Sequence, residues 1–337
     1  MKRNNHIVSS DLVSDVRSIH GKRGSLLRVL TYHRVADPKD SDMLDPSLIS
    51  ATPAVFEQQM RYLAKHYQVV SIEEALATVE NGTCIPDRAV LITFDDAYSD
   101  FAEYAWPILR RYQLPATLFV PTAYPDQSDR AFWWDRLYRA FSFTLQTEVS
   151  STPVGALPLR PSAERRQSLR TLYSYLKTIP HTDAVALVDE ICSNLDGRQV
   201  AQKSVLSWEE LRQLARDGVT LVAHTRTHPI LTQLPTPEQV REEIIGSQID
   251  LQREIGQVLP VFCYPSGAHN DTVVNILEQE GFVMAFTTLD GHNDLHRTHL
   301  LRLRRTNITQ RTSPFIFRIR LLRWATYADA WRHRKSL

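Results

Sequence analysis

Apolar positions along this chain follow two alternating patterns. Short, nearly continuous apolar runs occur at residues 26–33, 67–70, 89–94, 116–120, 219–223, 261–264, 283–287 and 301–308. Their length and Val, Ile, Leu and Phe content predict strands buried on both faces. Between them, apolar residues recur at helical spacing, as with Phe56, Met60 and Leu63 in 53–66. Further helices are expected over 102–112, where the early Pro107 should kink the element, and over 237–255 and 271–280. Ser71 with Glu74 and Ser207 with Glu210 have capping-box spacing, while Gly218 and Gly281 sit where helices stop.

Repeated strand–helix alternation implies a parallel sheet, open or closed. One stretch departs from it. Residues from about 125 to 205 hold Phe132-Trp133-Trp134-Asp135-Arg136-Leu137, a Pro-containing connector and a helical pattern. A segment this long between strands is expected to be an insertion with its own helices. The expected organisation is a polar extension over 1–24, a barrel over 25–310 carrying that insertion, and a basic amphipathic helix over 311–337.

The 337 residues, 43% apolar and 23% charged, can bury a substantial core. A formal charge of +1 argues against nucleic acid as partner. Cys84, Cys192 and Cys263 are scattered and odd in number, which predicts reduced core thiols rather than a disulfide framework. Residues 1–24 contain no apolar stretch of signal-peptide length, and no segment approaches the ~20 apolar residues of a membrane span. Cytoplasmic residence is the expectation.

Two distant segments carry the chemistry. Leu91-Ile92-Thr93-Phe94 runs into Asp95-Asp96, and Leu221-Val222-Ala223 runs into His224, with His228 four residues on. Alone, adjacent aspartates are often a turn or a cap. Here both pairs end strand-like runs, and strand C-termini are where α/β folds bind ligands. Two imidazoles and one carboxylate suit a zinc-type cation with a coordination position left for water, leaving the second aspartate to take a proton. The same donor set accepts cobalt, nickel or iron.

These residues resemble the polysaccharide deacetylase family, the NodB-homology or carbohydrate esterase 4 group. Thr93-Phe94-Asp95-Asp96 is similar to its first motif, with Ala97 where glycine is usual. His224-Thr225-Arg226-Thr227-His228-Pro229 is similar to its second, and Phe262-Cys263-Tyr264-Pro265-Ser266-Gly267 to its third. The resemblance implies a distorted (β/α)7 barrel, with Asp96, His224 and His228 as ligands to a divalent metal and Asp95 as general base. It also implies the Tyr264 backbone N–H as an oxyanion donor. Late family motifs are missing. Tyr32-His33 matches a branch that takes its acid histidine from near the N-terminus, which makes His33 the expected acid. The usual arginine before the third motif is absent, and Arg305 is the expected orienter of Asp95.

The implied activity is hydrolysis of N-acetyl groups on amino sugars of a polysaccharide or glycan precursor, releasing acetate. O-deacetylation, hydrolysis of another small amide, or glycan binding without catalysis are the competing readings. His269, His292, His296 and His299 are rival acids, Trp133 and Trp134 could stack on sugar or simply pack, and Trp208 is expected to pack. In the tail, Phe317, Leu321, Trp324, Ala328 and Trp331 share a helical face amid Arg318, Arg320, Arg323, Arg332, Arg334 and Lys335. Such a helix suits either docking on the barrel or peripheral contact with the inner membrane surface.

Overall fold

The computed structural model describes residues 25–40, 44–127, 131–160, 162–195 and 204–322. The chain opens with β1 (Leu26–Tyr32), then β2 (Arg34–Val35) and β3 (Ile49–Ala51), which pair with each other. Next come α1 (Pro53–His66), β4 (Gln68–Val69), α2 (Ile72–Glu80) and β5 (Ala89–Phe94). Thr52 caps α1 with Pro53 in its first turn, and Ser71 and Glu74 form the full capping box of α2.

After β5 the chain forms a wide π-helical turn over Phe101–Ala105 before α3 (Trp106–Arg111), rather than one continuous kinked helix. Pro107 has no N–H to return to the preceding turn, so it sits in the first turn of α3. β6 (Thr117–Val120) follows. The segment after it contains α4 (Trp133–Phe143), a hairpin of β7 (Glu148–Val149) and β8 (Leu157–Pro158), α5 (Ser162–Leu176) and α6 (His181–Asn194). These pack around their own apolar centre, including Leu137, Phe141, Leu172 and Ile191.

Alternation then resumes with α7 (Trp208–Arg216), β9 (Thr220–Ala223), α8 (Pro237–Ile255), β10 (Val261–Cys263), α9 (Asp271–Gln279) and β11 (Met284–Phe286). The chain ends with β12 (Asn293–Asp294), β13 (Thr306–Asn307) and α10 (Pro314–Arg320). The main sheet runs β11-β10-β9-β6-β5-β1, all neighbours parallel. β4 lies beside the first half of β5, and β12 runs antiparallel to the start of β1. The result is a curled (β/α)7 barrel with helices outside, the architecture that the resemblance implies.

Residues 301–308, expected as one strand, are broken. Leu303 bridges Phe286 at the end of β11, and Thr306 and Asn307 then pair with Leu30 and Thr31 of β1. The segment therefore crosses from one edge of the sheet to the other, and no single straight ladder can do both. β12 has no sequence signature because it is only two residues long.

Side chains alternate between two cores. Leu27, Val29, Leu91, Phe119, Val222, Val261 and Phe286 fill the barrel, whereas Leu30, Tyr32, Val90, Ile92, Phe94, Leu118 and Leu221 pack under the helices. Tyr32, Phe56, Phe94 and Phe101 form an aromatic cluster with centroid spacings of 4.8–5.8 Å. Trp208 is buried on α7 as a packing residue. Of the cysteines only Cys263 is core; Cys84 is exposed and Cys192 half-buried.

The described part of the tail docks on the protein, one of the two roles expected for it. Phe317 and Leu321 are buried, and Phe317 meets Tyr62 of α1 with ring centroids 6.4 Å apart. Trp324, Ala328, Trp331, Arg323, Arg332, Arg334 and Lys335 lie outside the described residues, as does the 1–24 extension. No described helix is long and apolar enough to cross a membrane.

Candidate active site

The inward alternation of β5 does not stop at its last ladder residue. Leu91 points into the barrel, and Thr93 and Asp95 continue that face. Arg305 lies two residues beyond the inward Leu303 and reaches the same place. Its guanidinium meets Asp95 through two parallel bonds, Nη1 to Oδ1 at 2.7 Å and Nη2 to Oδ2 at 2.8 Å. Nε donates to the Thr287 carbonyl at 2.8 Å, and the cation lies over the Phe119 ring. Arg305 is fully buried, so this pair is shielded from water. Burial raises the Asp95 carboxyl, but Arg305 outweighs it and holds Asp95 below its ordinary value.

Asp96 follows at φ 71° and Ala97 at φ 50°, both left-handed. That turn swings Asp96 towards the end of β9. His224 Nε2 stands 3.6 Å and His228 Nε2 3.2 Å from Asp96 Oδ1. These three side chains offer ligand atoms within 4.8 Å of one another. Ligands ~2.0–2.1 Å from a tetrahedral zinc stand ~3.4 Å apart, so the spacing fits. Asp96 Oδ1 is buried yet receives no aligned hydrogen bond, as an oxygen reserved for a cation would be. Nδ1 of His224 is 2.8 Å from the Cys263 carbonyl, which leaves Nε2 as the nitrogen facing Asp96. Burial, with His228 beside it, depresses His224 to about 4, so the ring is neutral at neutral pH as a metal ligand must be. Burial opposes the charge of Asp96, but His228, His33 and His224 together bring its carboxyl well below the usual range.

The loop carrying the histidines is braced from α8. Glu243 accepts from the backbone N–H groups of Arg226 and Thr227, each at 2.9 Å, and from Thr227 Oγ1 at 2.6 Å. Asp250 pairs with Arg226 at 2.9 Å and accepts from Thr122 Oγ1 at 2.8 Å. A Cβ on Gly246 would lie 2.5 Å from Arg226 Nε, so a larger residue there would push that side chain off its path across the helix. Thr225 and His228 both sit at positive φ, which these bonds sustain.

His33, just past β1, places Nε2 3.9 Å from Asp95 Oδ2 and remains partly exposed. The rival histidines find other partners: His269 stacks on Tyr264, His292 bonds the Arg320 carbonyl, and His299 faces Glu278. His296 is exposed.

Tyr264 needs a correction. Its backbone N–H donates to the Phe286 carbonyl at 3.1 Å as part of the sheet, and its hydroxyl donates to the Leu301 carbonyl at 2.8 Å. Neither is available to an oxyanion. The next amide in the turn, Ser266 N–H, has no acceptor among the described residues, and Ser266 sits at φ 54° in an exposed position.

Four further residues belong to the site's surroundings. Cys263 Sγ lies 4.0 Å from both Asp95 oxygens. Trp134 of α4 stands with its ring 5.0 Å from that of His228, and its Nε1 donates to Tyr98 Oη at 2.8 Å. Tyr98 in turn donates to the fully buried Asp135 at 2.9 Å. The helical insertion thus forms part of the wall beside the histidines. Cys263 could have been found by continuing the inward alternation of β10. The sequence offered Trp134 only as a residue that could stack on sugar or pack, and Glu243 had no signal, because distant segments bring both there.

A curled parallel sheet whose carboxyl ends gather an Asp-His-His set beside an arginine-held carboxylate is the frame of a NodB-type hydrolase. The family described as polysaccharide deacetylase matches residues 82–285, and the chain belongs to it. Members hydrolyse the C–N amide bond of N-acetyl sugar groups and in general depend on a metal. YxkH of Bacillus subtilis, a candidate polysaccharide deacetylase, is 20% identical over 274 residues, covering 81% of this chain and 68% of YxkH. The poly-β-1,6-N-acetyl-D-glucosamine N-deacetylase of Staphylococcus aureus is 31% identical over 133 residues, 37% of this chain and 45% of that enzyme. This chain therefore aligns with less than half of that relative. The structure of the Streptococcus pyogenes deacetylase PplD with acetate shares the fold, with TM-score 0.60 and 20% identity over 89% of this chain and 99% of PplD.

Proposed function

We propose that this chain is a metal-dependent N-deacetylase that releases acetate from acetylated amino sugars in a polysaccharide or glycan precursor. The observation that carries the reading is the triangle of Asp96, His224 and His228, whose shared Asp96 oxygen receives no aligned hydrogen bond, set directly beside an Asp95 fixed by Arg305. A divalent ion held by that triangle, zinc by donor chemistry, supplies Lewis acidity and makes a water acidic enough to attack at neutral pH.

Around it each side chain has a task. Asp95, kept ionised by Arg305, accepts the proton of the attacking water, and the bidentate grip fixes which lone pairs face the substrate. His33 Nε2, on the Asp95 side of the site, gives a proton to the departing amine nitrogen. Ser266 N–H, rather than Tyr264, is the backbone donor for the developing oxyanion. Water is consumed, the amide C–N bond breaks, and acetate and a free amino sugar leave.

The name of the Staphylococcus aureus relative supports an N-acetylglucosamine polymer as substrate class. The test is acetate release by metal-loaded protein from N-acetylglucosamine oligomers against acetylxylan. Release from the amide substrate, absent in Asp95→Asn, is expected. Preference for acetylxylan would make the protein an O-deacetylase, and glycan binding without acetate release would make it a silent binder.

A further inference from the structure

A second candidate site lies between α1 and α10, outside the barrel mouth. The two helices enclose a groove of ≈ 310 Å³ whose lining includes Gln59, Arg61, Tyr62, Lys65, Phe317 and Arg318. Its floor is aromatic, with the Arg318 guanidinium 5.0 Å over the Tyr62 ring. Its charge is one-sided. Arg61 has Glu57 at 3.6 Å, but neither Lys65 nor Arg318 has a carboxylate within ion-pair distance among the described residues. Arg61, Lys65 and Arg318 line the groove and no carboxylate does, which favours an anionic occupant.

We propose that this groove takes the anionic headgroup of a membrane lipid and that α10 is the element that meets the bilayer. Phe315 and Ile316, on the helix turn that also supplies Phe317 and Arg318, are 71% and 42% exposed. A soluble anion would need no such apolar pair, whereas an interfacial helix places aromatic and aliphatic side chains below basic ones. The chain's own remaining segment is a poor occupant. Residues 323–337 carry Arg323, Arg332, Arg334 and Lys335 against one acid, Asp329, and share the sign of the groove. That same charge favours an anionic surface for the whole region. The contact differs from the face read along the sequence, because Phe317 and Leu321 are spent on packing and the neighbouring Phe315 and Ile316 are left outside.

The proposal stands apart from the catalytic reading, since vesicle binding is scored without turnover. Full-length protein is sedimented with phosphatidylcholine vesicles and with the same vesicles containing phosphatidylglycerol, at low and high salt. Binding only to the anionic vesicles, weakened by salt, is expected. Lys65→Glu with Arg318→Glu should weaken it at least ~10-fold, and Phe315→Ser should weaken it too, with melting temperature and acetate release unchanged. Equal binding to neutral vesicles, or undiminished binding in the charge-reversed protein, overturns the proposal. So does full displacement from vesicles by inorganic phosphate at constant ionic strength, which would make the groove a soluble-anion site.

Discussion

Arg305 holds Asp95 by two parallel N–H···O bonds of 2.7 and 2.8 Å, from a chain position 210 residues away. The arginine enters the barrel from the segment that closes it, between the Leu303 bridge to Phe286 and the pairing of Thr306 with β1. Closure of the fold and orientation of the carboxylate are one structural event. Removing the cation leaves a buried carboxylate without its partner. Arg305→Ala should lose ~3–5 kcal/mol of stability by urea denaturation. Arg305→Lys, which restores charge but not the fork, should recover part of the stability and little of the turnover. Equal activity in the lysine variant would show that charge alone suffices.

Asp95 and His33 flank the triangle without belonging to it. Asp95→Asn and His33→Ala should each lower acetate release by ~10²–10⁴-fold, with metal content by elemental analysis unchanged. Full turnover in His33→Ala would remove it as the acid.

Asp96, His224 and His228 should act on stability through the ion. Zinc at ~100 times its dissociation constant should stabilise the wild type by ~2.7 kcal/mol, read as a rise in melting temperature. Asp96→Asn and His224→Ala should show no such rise. Glu243→Ala, which frees the loop amides of Arg226 and Thr227, should weaken metal affinity ~10–100-fold while leaving every ligand in place. A zinc-induced shift surviving in Asp96→Asn would place the ion elsewhere.

Asp135 provides a pH signature of the insertion. Burial pushes its carboxyl up to about 7, against hydrogen bonds from Asp45 N–H and Tyr98 Oη. Its folded value lies above the unfolded one of ~3.9, so the native state binds the extra proton between them. Its stabilising contribution is present at low pH and lost as pH rises through about 7. Asp135→Asn cannot ionise, so its stability relative to wild type should climb between pH ~4 and ~7 and then level off. Denaturation curves across that range test it; a constant difference would mean Asp135 ionises normally.

Much of this was legible in the sequence because local rules carried it. The capping boxes at Ser71 and Ser207, the helix over Pro53–His66 and the strand Ala89–Phe94 follow from hydrogen-bonding side chains and apolar period within a few residues. Asp95 and Asp96, and His224 and His228, were visible because each pair directly continues a buried strand. Arg305 was named from the sequence as the orienter of Asp95, and the tertiary structure decided what depends on segments meeting: that this arginine grips both carboxylate oxygens, that Ser266 N–H rather than the sheet-bound Tyr264 N–H is the open donor, and that Trp134 stands beside His228. It also turned Phe317 and Leu321 inward against the helical layer, leaving Phe315 and Ile316 outside. Period and capping act along the chain, whereas which hydrogen-bonding group is consumed and which helical face is buried depend on neighbours contributed by distant sequence.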